Sequence, residues 1–379
     1  MPAPPPAIGE LGDFRDFGAA LADGFARRVG ELAARLGASA EGVRWARRAA
    51  FAASRATSAG HVCVPVARLA RRYGATLRQA RAALFASGVV SDGYGQGATS
   101  GPLVVDAAGR LYLARYFDYE RRLAVAIVDH ASQGNADHAG NACTEPSTLH
   151  ARLARYFGPP STDDIDWQRA AAALALSSRL TVVSGGPGTG KTTTVVGMLA
   201  CLLDEAPERS IALAAPTGKA AQRMQEALAA RAATLPPEIA ARLPRGAQTL
   251  HRLLGAGQGG ARLRHHRDNP LPYDVLVVDE ASMIDVAMAM QLFDALAPTT
   301  RLIMLGDKDQ LAAVEAGAVF AELSARPAFS AQGIARIAGA AGLDEARVEA
   351  ALAGLGDSAQ APSSEPQAQT ATESESFDD

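Results

Sequence analysis

The sequence predicts an α/β protein in which a mainly helical N-terminal domain precedes a parallel, doubly wound sheet. Between residues 163 and 325, helical patterns alternate with four short apolar runs, TVVS, IALAA, VLVV and LIML. Strands that are apolar throughout are typical of a parallel sheet covered by helices on both faces. A glycine-rich loop follows the first run, at the carboxyl edge where such sheets bind their ligands.

The first 150 of the 379 residues have a different texture. Ala, Arg and Leu recur at helical spacing, and a turn-like AAG separates two short apolar runs. The predicted elements are helices over 14–36, 43–56, 77–87 and 119–129 and a hairpin formed by 103–106 and 110–114. We therefore assign these residues to a separate N-terminal domain.

Two polar stretches interrupt the chain. Residues 133–149 are polar and rich in Gly and Asn, which predicts a flexible connection followed by a boundary at 150–162. Residues 357–379 contain almost no apolar side chain and predict a disordered acidic tail. The predicted division is 1–150 for the N-terminal domain, 151–343 for the sheet domain and 344–379 for a C-terminal stub and tail.

The composition argues against a disulfide scaffold, a zinc site and a membrane protein. Cys63, Cys143 and Cys201 lie far apart, and no stretch reaches the roughly 18 apolar residues of a membrane helix. The N-terminus has no secretory pattern, so we expect cytoplasmic localisation and no membrane partner. The net charge is −3, but outside the acidic tail 37 basic side chains face 34 acidic ones, which permits a nucleic-acid partner.

The loop after the first apolar run carries the strongest signal. It reads GGPGTGKT and fits the G-x4-G-K-T pattern, in which backbone N–H groups surround phosphate oxygens. In this pattern the lysine reaches the β- and γ-phosphates and the last hydroxyl binds Mg²⁺. The predicted nucleotide-binding residues are Gly185, Gly186, Pro187, Gly188, Thr189, Gly190, Lys191, Thr192 and Thr193.

Two further apolar runs end in candidate catalytic residues. Asp279 and Glu280 follow VLVV, where Asp279 can hold Mg²⁺ and Glu280 can orient and deprotonate the attacking water. Gln310, in GDKDQL after LIML, can sense the γ-phosphate. Taken alone, two acids are also common at a plain strand end, and GDKDQL is also compatible with an ordinary turn.

Four residues are candidates for base or DNA contacts. Thr217 and Lys219, in PTGK after IALAA, are candidate phosphodiester contacts, with a capped helix start as the alternative. His251, in TLHRLLG, is either a DNA contact or a structural histidine. Gln168 can read adenine edges or lie on the surface. The three lysines of the chain all fall within these motifs, which argues against chance; they are Lys191, Lys219 and Lys308.

Together the motifs resemble the first motor domain of superfamily 1 DNA helicases, and within them the RecD family. The likeness covers about 150–340 and rests on Gln168, GGPGTGKTTT, APTGKAAQRM, TLHRLLG, VLVVDEASMID and LIMLGDKDQLAAVEAGAVF. GHVCVP and PLVVD…LYLARYFDYERRLA are similar, more loosely, to the family's N-terminal domain. RLRHHR at 262–267 resembles a small hairpin inserted in the motor domain, with a solvated basic loop as the alternative.

The resemblance implies a RecA-like P-loop NTPase fold and an ATP-dependent helicase that moves 5′ to 3′ on single-stranded DNA. It implies a heterotrimer with RecB- and RecC-like subunits, the exonuclease V of double-strand break repair and recombination. Catalytic roles fall on Lys191, Glu280 and Gln310, and Mg²⁺ binding on Thr192 and Asp279. Gln168 is expected to recognise the adenine of ATP. Thr217, Lys219 and His251 are expected to contact DNA.

The sequence departs from the family after residue 343, where no counterpart of the second motor domain and its arginine-bearing motifs is found. A cationic side chain of this kind accelerates phosphoryl transfer by about 10³–10⁵. We therefore expect a short or truncated helicase subunit, or a nucleotide- and partner-binding module without unwinding activity. An unrelated P-loop ATPase with an arginine from a neighbouring copy is less compatible with the motif wording.

Overall fold

The computed structural model describes residues 14–94, 101–137, 146–159, 165–257, 263–310, 316–325 and 329–358. Its N-terminal part contains both helices and short strands. In chain order these elements are α1 (Phe14–Arg35), α2 (Ala40–Ser58), β1 (Cys63–Pro65), α3 (Val66–Arg72), α4 (Leu77–Ala86), β2 (Val90–Ser91), β3 (Leu103–Val105), β4 (Arg110–Leu113) and α5 (Ala114–Asp137).

The N-terminal helices cover a small sheet of order β1-β4-β3-β2. β4 runs antiparallel to β1 and to β3, whereas β2 is parallel to β3. Trp45 and Leu84 from the helices pack on Leu103 and Leu111 from the strands in one core. The predicted hairpin and first helices are confirmed to within a few residues. β1, β2 and α3 were not predicted because they are too short to show a period.

The second part of the chain alternates strands with helices. Its elements are α6 (Pro146–Phe157), α7 (Trp167–Ser177), β5 (Leu180–Ser184), α8 (Lys191–Glu205), β6 (Ile211–Ala215), α9 (Gly218–Ala232), α10 (Pro237–Ala240), β7 (Gln248–Thr249), α11 (Leu250–Leu253), β8 (Val275–Val278), a short 3-10 helix (Ala281–Met283), α12 (Val286–Asp294), β9 (Arg301–Gly306), α13 (Val319–Ala325), α14 (Ala331–Ala341) and α15 (Glu345–Ser358).

The larger sheet is parallel and has the order β5-β9-β8-β6-β7. Alternate side chains along its strands enter two different cores. Leu276 and Met304 pack with α12 on one face, while Val277 and Leu305 pack with α8 on the other. This burial on both faces confirms the predicted doubly wound α/β sheet of a RecA-like P-loop NTPase. Among the described strands, β5 has a single neighbour, β9.

Helix α5 joins the two parts of the chain and is longer than predicted. Tyr116 and Leu123 are buried in the core on the α12 face of the larger sheet. Arg122 also pairs with Asp294 of α12, with 3.0 Å between Nη2 and Oδ2. The predicted helix at 119–129 was too short at both ends, since Tyr116 and His130 lie outside that range and pack on the α12 side of the larger sheet.

Helix α6 lies where a connection and a boundary were predicted. It begins at Pro146 and packs on α8, with Leu153 fully buried in the shared core. Asp204 of α8 holds the same helix through Arg152 and Arg155, at N–O distances of 3.3 and 3.1 Å. The flexible connection predicted over 133–149 is therefore wrong at 133–137 and 146–149. Residues 138–145 lie outside the described residues.

The C-terminal helices pack back onto the nucleotide-binding part of the chain. Ile337 of α14 and Val348 of α15 are buried against Ala170 of α7. Helix α15 includes Asp357 and Ser358, the first two residues of the predicted tail, and 359–379 lie outside the described residues. No helix in the described ranges has the length and apolar character needed to cross a bilayer.

Candidate active site

The glycine-rich loop connects β5 to α8 at the carboxyl edge of the larger sheet. Gly188 and Gly190 have φ values of +79° and +81°, a region that favours glycine. The Thr189 hydroxyl donates to the carbonyl of Gly186 at 2.9 Å, which closes the loop on itself. Helix α8 starts at Lys191, so its first N–H groups lie at the end of this loop.

The Lys191 side chain folds over the loop. Its ammonium donates to the carbonyls of Gly185 and Gly186, the latter at 3.0 Å. The loop is itself fixed to β9, because the Gly185 N–H donates to the carbonyl of Gly306 at 3.1 Å. The Lys191 ammonium therefore lies against the start of the loop, which a hydrogen bond joins to β9.

Lys191, Thr192 and Asp279 are the polar residues that line one small cavity of 10 Å³, whose other walls are six apolar side chains of α8, α9, β6 and β9. This is room for about one water-sized group. Burial raises the pKa of Asp279, while the Glu280 N–H, which it accepts at 2.8 Å, and the charge of Lys191 act in the opposite direction. A hydroxyl and a carboxylate are hard oxygen ligands of the kind that Mg²⁺ prefers, so the donor set fits this ion.

Glu280 follows Asp279 in an unusual backbone conformation. Its φ is +52°, and it is the only described non-glycine residue with a positive φ. The carboxylate of Glu280 lies 4.0 Å from a guanidinium nitrogen of Arg223 on α9. Glu280 is partly exposed at the edge of the sheet, where its carboxylate can reach a water molecule.

Gln310 is connected to the same edge through Ser282 of the short 3-10 helix. The Ser282 hydroxyl donates to Oε1 of Gln310 at 3.3 Å. A second serine links β5 to the segment after β9, because the Lys308 N–H donates to Oγ of Ser184 at 3.1 Å. The structure therefore brings together the strand ends that carry Lys191, Glu280 and Gln310.

Gln168 contacts the loop from the side of α7. Asp166 caps this helix, and the side-chain amide of Gln168 donates to the Thr189 carbonyl at 3.1 Å. A Cβ added at Gly190 would lie 2.5 Å from that amide nitrogen. The Gln168 side chain also lines a cleft of 1120 Å³ that extends from the loop along β5 and α7. Gln168 therefore contacts the phosphate loop, and its contact with adenine stays a prediction.

The candidate DNA-contact residues lie at the ends of β6 and β7. Thr217 is the N-cap of α9, since its hydroxyl accepts from the Ala220 N–H at 3.2 Å, so the capped helix start is found. Lys219 is exposed in the first turn of α9. His251 is exposed in α11, and its contact with DNA stays a prediction.

Comparison with known proteins agrees with this geometry. A family model described as an AAA domain matches residues 168–316. The RecBCD enzyme subunit RecD of Mycolicibacterium smegmatis is 46% identical over 220 residues, which is 56% of this chain and 37% of that protein. RecD of Mycobacterium tuberculosis is 54% identical over 164 residues, 42% of this chain and 28% of that protein.

Over the matched residues the chain is similar to RecD proteins. A more distant relative is the ATP-dependent RecD2 DNA helicase of Deinococcus radiodurans, 36% identical over 209 residues, 55% of this chain and 25% of that protein. The chain spans between a quarter and two fifths of the length of these curated relatives. Every predicted site residue lies within the matched range 168–316.

Sequence reasoning missed several residues that shape the site. They are Ser184 and Ser282, which connect strand ends, and Arg223 and Arg231 of α9. Arg231 donates to the Thr193 hydroxyl at 2.8 Å. Serines and arginines are common in this chain, and no spacing marks these four. Of the predicted hairpin segment 262–267, the structure describes residues 263–267, and an isolated antiparallel bridge joins His266 to Asn269 just after it.

Proposed function

We propose that this chain is the ATP-dependent 5′–3′ DNA helicase subunit of a RecBCD-type exonuclease V, acting in double-strand break repair and recombination. One observation carries the proposal: Lys191, Thr192 and Asp279, the residue that precedes Glu280, line one small cavity. The names of the relatives, RecD of the RecBCD enzyme and ATP-dependent RecD2 DNA helicase, point to the same activity.

The roles of the site residues follow from their chemistry. Lys191 is proposed to bind the β- and γ-phosphates of ATP, and Thr192 and Asp279 to hold Mg²⁺, which neutralises charge on the phosphates. Glu280 orients the attacking water and accepts its proton. Gln310 senses the γ-phosphate through an amide that both donates and accepts. Gln168 is placed to read the adenine edge.

A second function, a nucleotide- and partner-binding module, is favoured by one observation. In the described residues the arginines that contact residues of the phosphate site are Arg223 and Arg231, and both pair with protein groups, while Lys308 and Arg336 line the adjoining cleft. Transition-state charge in phosphoryl transfer needs a cation directed at the phosphate. We therefore infer that full hydrolysis requires a further arginine.

Loss of Lys191 tests the nucleotide site. We predict that Lys191→Ala abolishes Mg-ATP binding, because no other side chain of the loop places an ammonium between the β- and γ-phosphates. Isothermal titration calorimetry measures the affinity. Lys219→Ala is the matched control, since this exposed lysine lies on α9 and is expected to keep ATP affinity. Unchanged affinity in Lys191→Ala would contradict the assignment.

We propose that the N-terminal domain docks on larger RecB- and RecC-like partners in the cytoplasm, with DNA as the substrate. The contacts of α6 with α8 support grouping α6 with the larger sheet, whereas the division predicted from the sequence is at 150. Residues 146–358, including α14 and α15, would then form the motor domain, onto which Tyr116 and Leu123 of α5 pack. Co-expression with both partners tests this proposal. The whole chain should be retained with them, and retention of residues 146–358 to the same extent would refute the docking role.

A further inference from the structure

Helix α9 runs between the candidate DNA site and the nucleotide site. It begins at the Thr217 cap and carries Lys219 in its first turn. Arg223 follows four residues later, and Arg231 in the last turn contacts Thr193 at 2.8 Å. Residues four apart lie on one face of a helix, so Lys219 and Arg223 are neighbours.

Arg223 connects that face to the proposed general base. Its Nη1 atom lies 4.0 Å from Oε1 of Glu280, and the two side chains are 66% and 33% exposed. The guanidinium is thus open to solvent on one side while it faces the carboxylate on the other. An exposed ion pair of this kind favours the paired over the unpaired state by only about 1.5- to 5-fold. A competing anion can therefore displace the Glu280 carboxylate from Arg223.

We infer that Arg223 is a positioning residue that couples DNA binding to Glu280. The inference rests on the proposed function, in which Lys219 binds DNA and Glu280 activates water. Without DNA, the guanidinium restrains the Glu280 carboxylate. A DNA phosphate bound by Lys219 and Arg223 competes for the guanidinium and releases the carboxylate toward the attacking water.

The competition is testable without measuring hydrolysis. If Glu280 and a DNA phosphate compete for Arg223, then removing the charge of Glu280 strengthens DNA binding. The measurement is the affinity of the full-length chain for an oligothymidylate by fluorescence anisotropy, in low salt and without nucleotide. We expect Glu280→Gln to increase the affinity about 1.5- to 5-fold when Arg223 is present and to have no effect in an Arg223→Ala background.

Two matched variants show whether the positive charge of Arg223 causes the gain in DNA affinity in Glu280→Gln. Arg223→Lys keeps the cation and should retain part of the Glu280→Gln gain. Arg231→Ala removes an arginine from the same helix that contacts Thr193 instead, and should leave the gain unchanged. Arg223→Ala should also reduce the slope of log affinity against log salt by about 0.7, the value for one phosphate contact on a single strand.

The outcomes separate the inference from the proposed function. DNA binding that depends on Lys219 but shows the same Glu280→Gln gain with and without Arg223 overturns the inference and leaves the proposed DNA site standing. DNA binding that Lys219→Ala does not weaken overturns the proposed DNA site and the inference together. Because Arg223 is largely exposed, its variants are expected to fold, and thermal unfolding provides the check.

Discussion

Glu280 combines a proposed catalytic role with an unfavourable backbone conformation. Its φ of +52° lies in the left-handed region, which costs an L residue about 1–2 kcal/mol. The turn is fixed by Asp279, which accepts the Glu280 N–H, and by the 3-10 helix that follows. Strain of this kind is typical of functional sites, where the surrounding structure holds it in place.

A stability comparison tests this strain. We predict that Glu280→Gly is more stable than Glu280→Ala by up to about 1 kcal/mol, because both lose the carboxylate and only alanine keeps the Cβ that disfavours positive φ. Urea denaturation of the two variants measures the difference. A Glu280→Ala protein as stable as Glu280→Gly would show that the turn is not strained.

The predictable residues were those in contiguous motifs. The loop that contains Lys191 and the pair Asp279 and Glu280 follow from local spacing, because each motif lies within one strand and its loop. Contacts between motifs were not predictable: the Ser184 hydroxyl accepts from the Lys308 N–H, 124 residues away in the sequence. Such contacts depend on strand order, which a single sequence does not specify.

At the scale of elements, α5 was the least well predicted. The sequence of α5 predicts a helix. Its ends pack near α12, which lies about 150 residues later in the sequence. His130 of α5 is 7% exposed and packs against Phe293, with ring centroids 6.1 Å apart. Burial lowers the pKa of His130, and the positive charge of Arg179 acts in the same direction. The contact between the two helices is therefore sensitive to acid.

The direction of that sensitivity follows from proton binding. Since the pKa of His130 is lower in the folded chain than the value of about 6.5 expected when unfolded, acidification below pH 6.5 protonates the unfolded state first. We predict that the free energy of unfolding falls between pH 7 and pH 5, by at most about 1.4 kcal/mol per pH unit from this group. His130→Gln should lose less stability over the same range. Equal losses would exclude His130 as the cause.

At the scale of the molecule, the two parts of the chain share buried surface. Tyr116 and Leu123 of α5 enter the core on the α12 face of the larger sheet, and the Gly317 N–H donates to the Gly60 carbonyl at 3.2 Å. The sequence predicted most of the helices, the N-terminal hairpin and the parallel sheet, since periodicity is a local property. It did not predict this docking, because the residues involved look like ordinary core residues.

We predict that the purified 379-residue chain binds ATP weakly, hydrolyses it slowly and does not unwind DNA. Lys191, Asp279, Glu280 and Gln310 form one side of a nucleotide site, and a water-exposed triphosphate gains less from each electrostatic contact. A DNA-stimulated ATPase assay and a strand-displacement assay measure both activities, with Glu280→Gln as the control. Rapid unwinding that Glu280→Gln abolishes would show that the chain supplies a second DNA-binding site and an arginine that contacts the phosphates.

The single strand neighbour of β5 has a consequence for amide hydrogen exchange. The Gly185 N–H and the Arg179 carbonyl both bond to β9, so odd-numbered residues of this strand point toward β9. The N–H groups of Leu180, Val182 and Ser184 consequently point to the other side, where no described strand lies. They should exchange with deuterium faster than those of Thr181 and Val183. The strand that carries the phosphate loop would then have alternating protection, residue by residue.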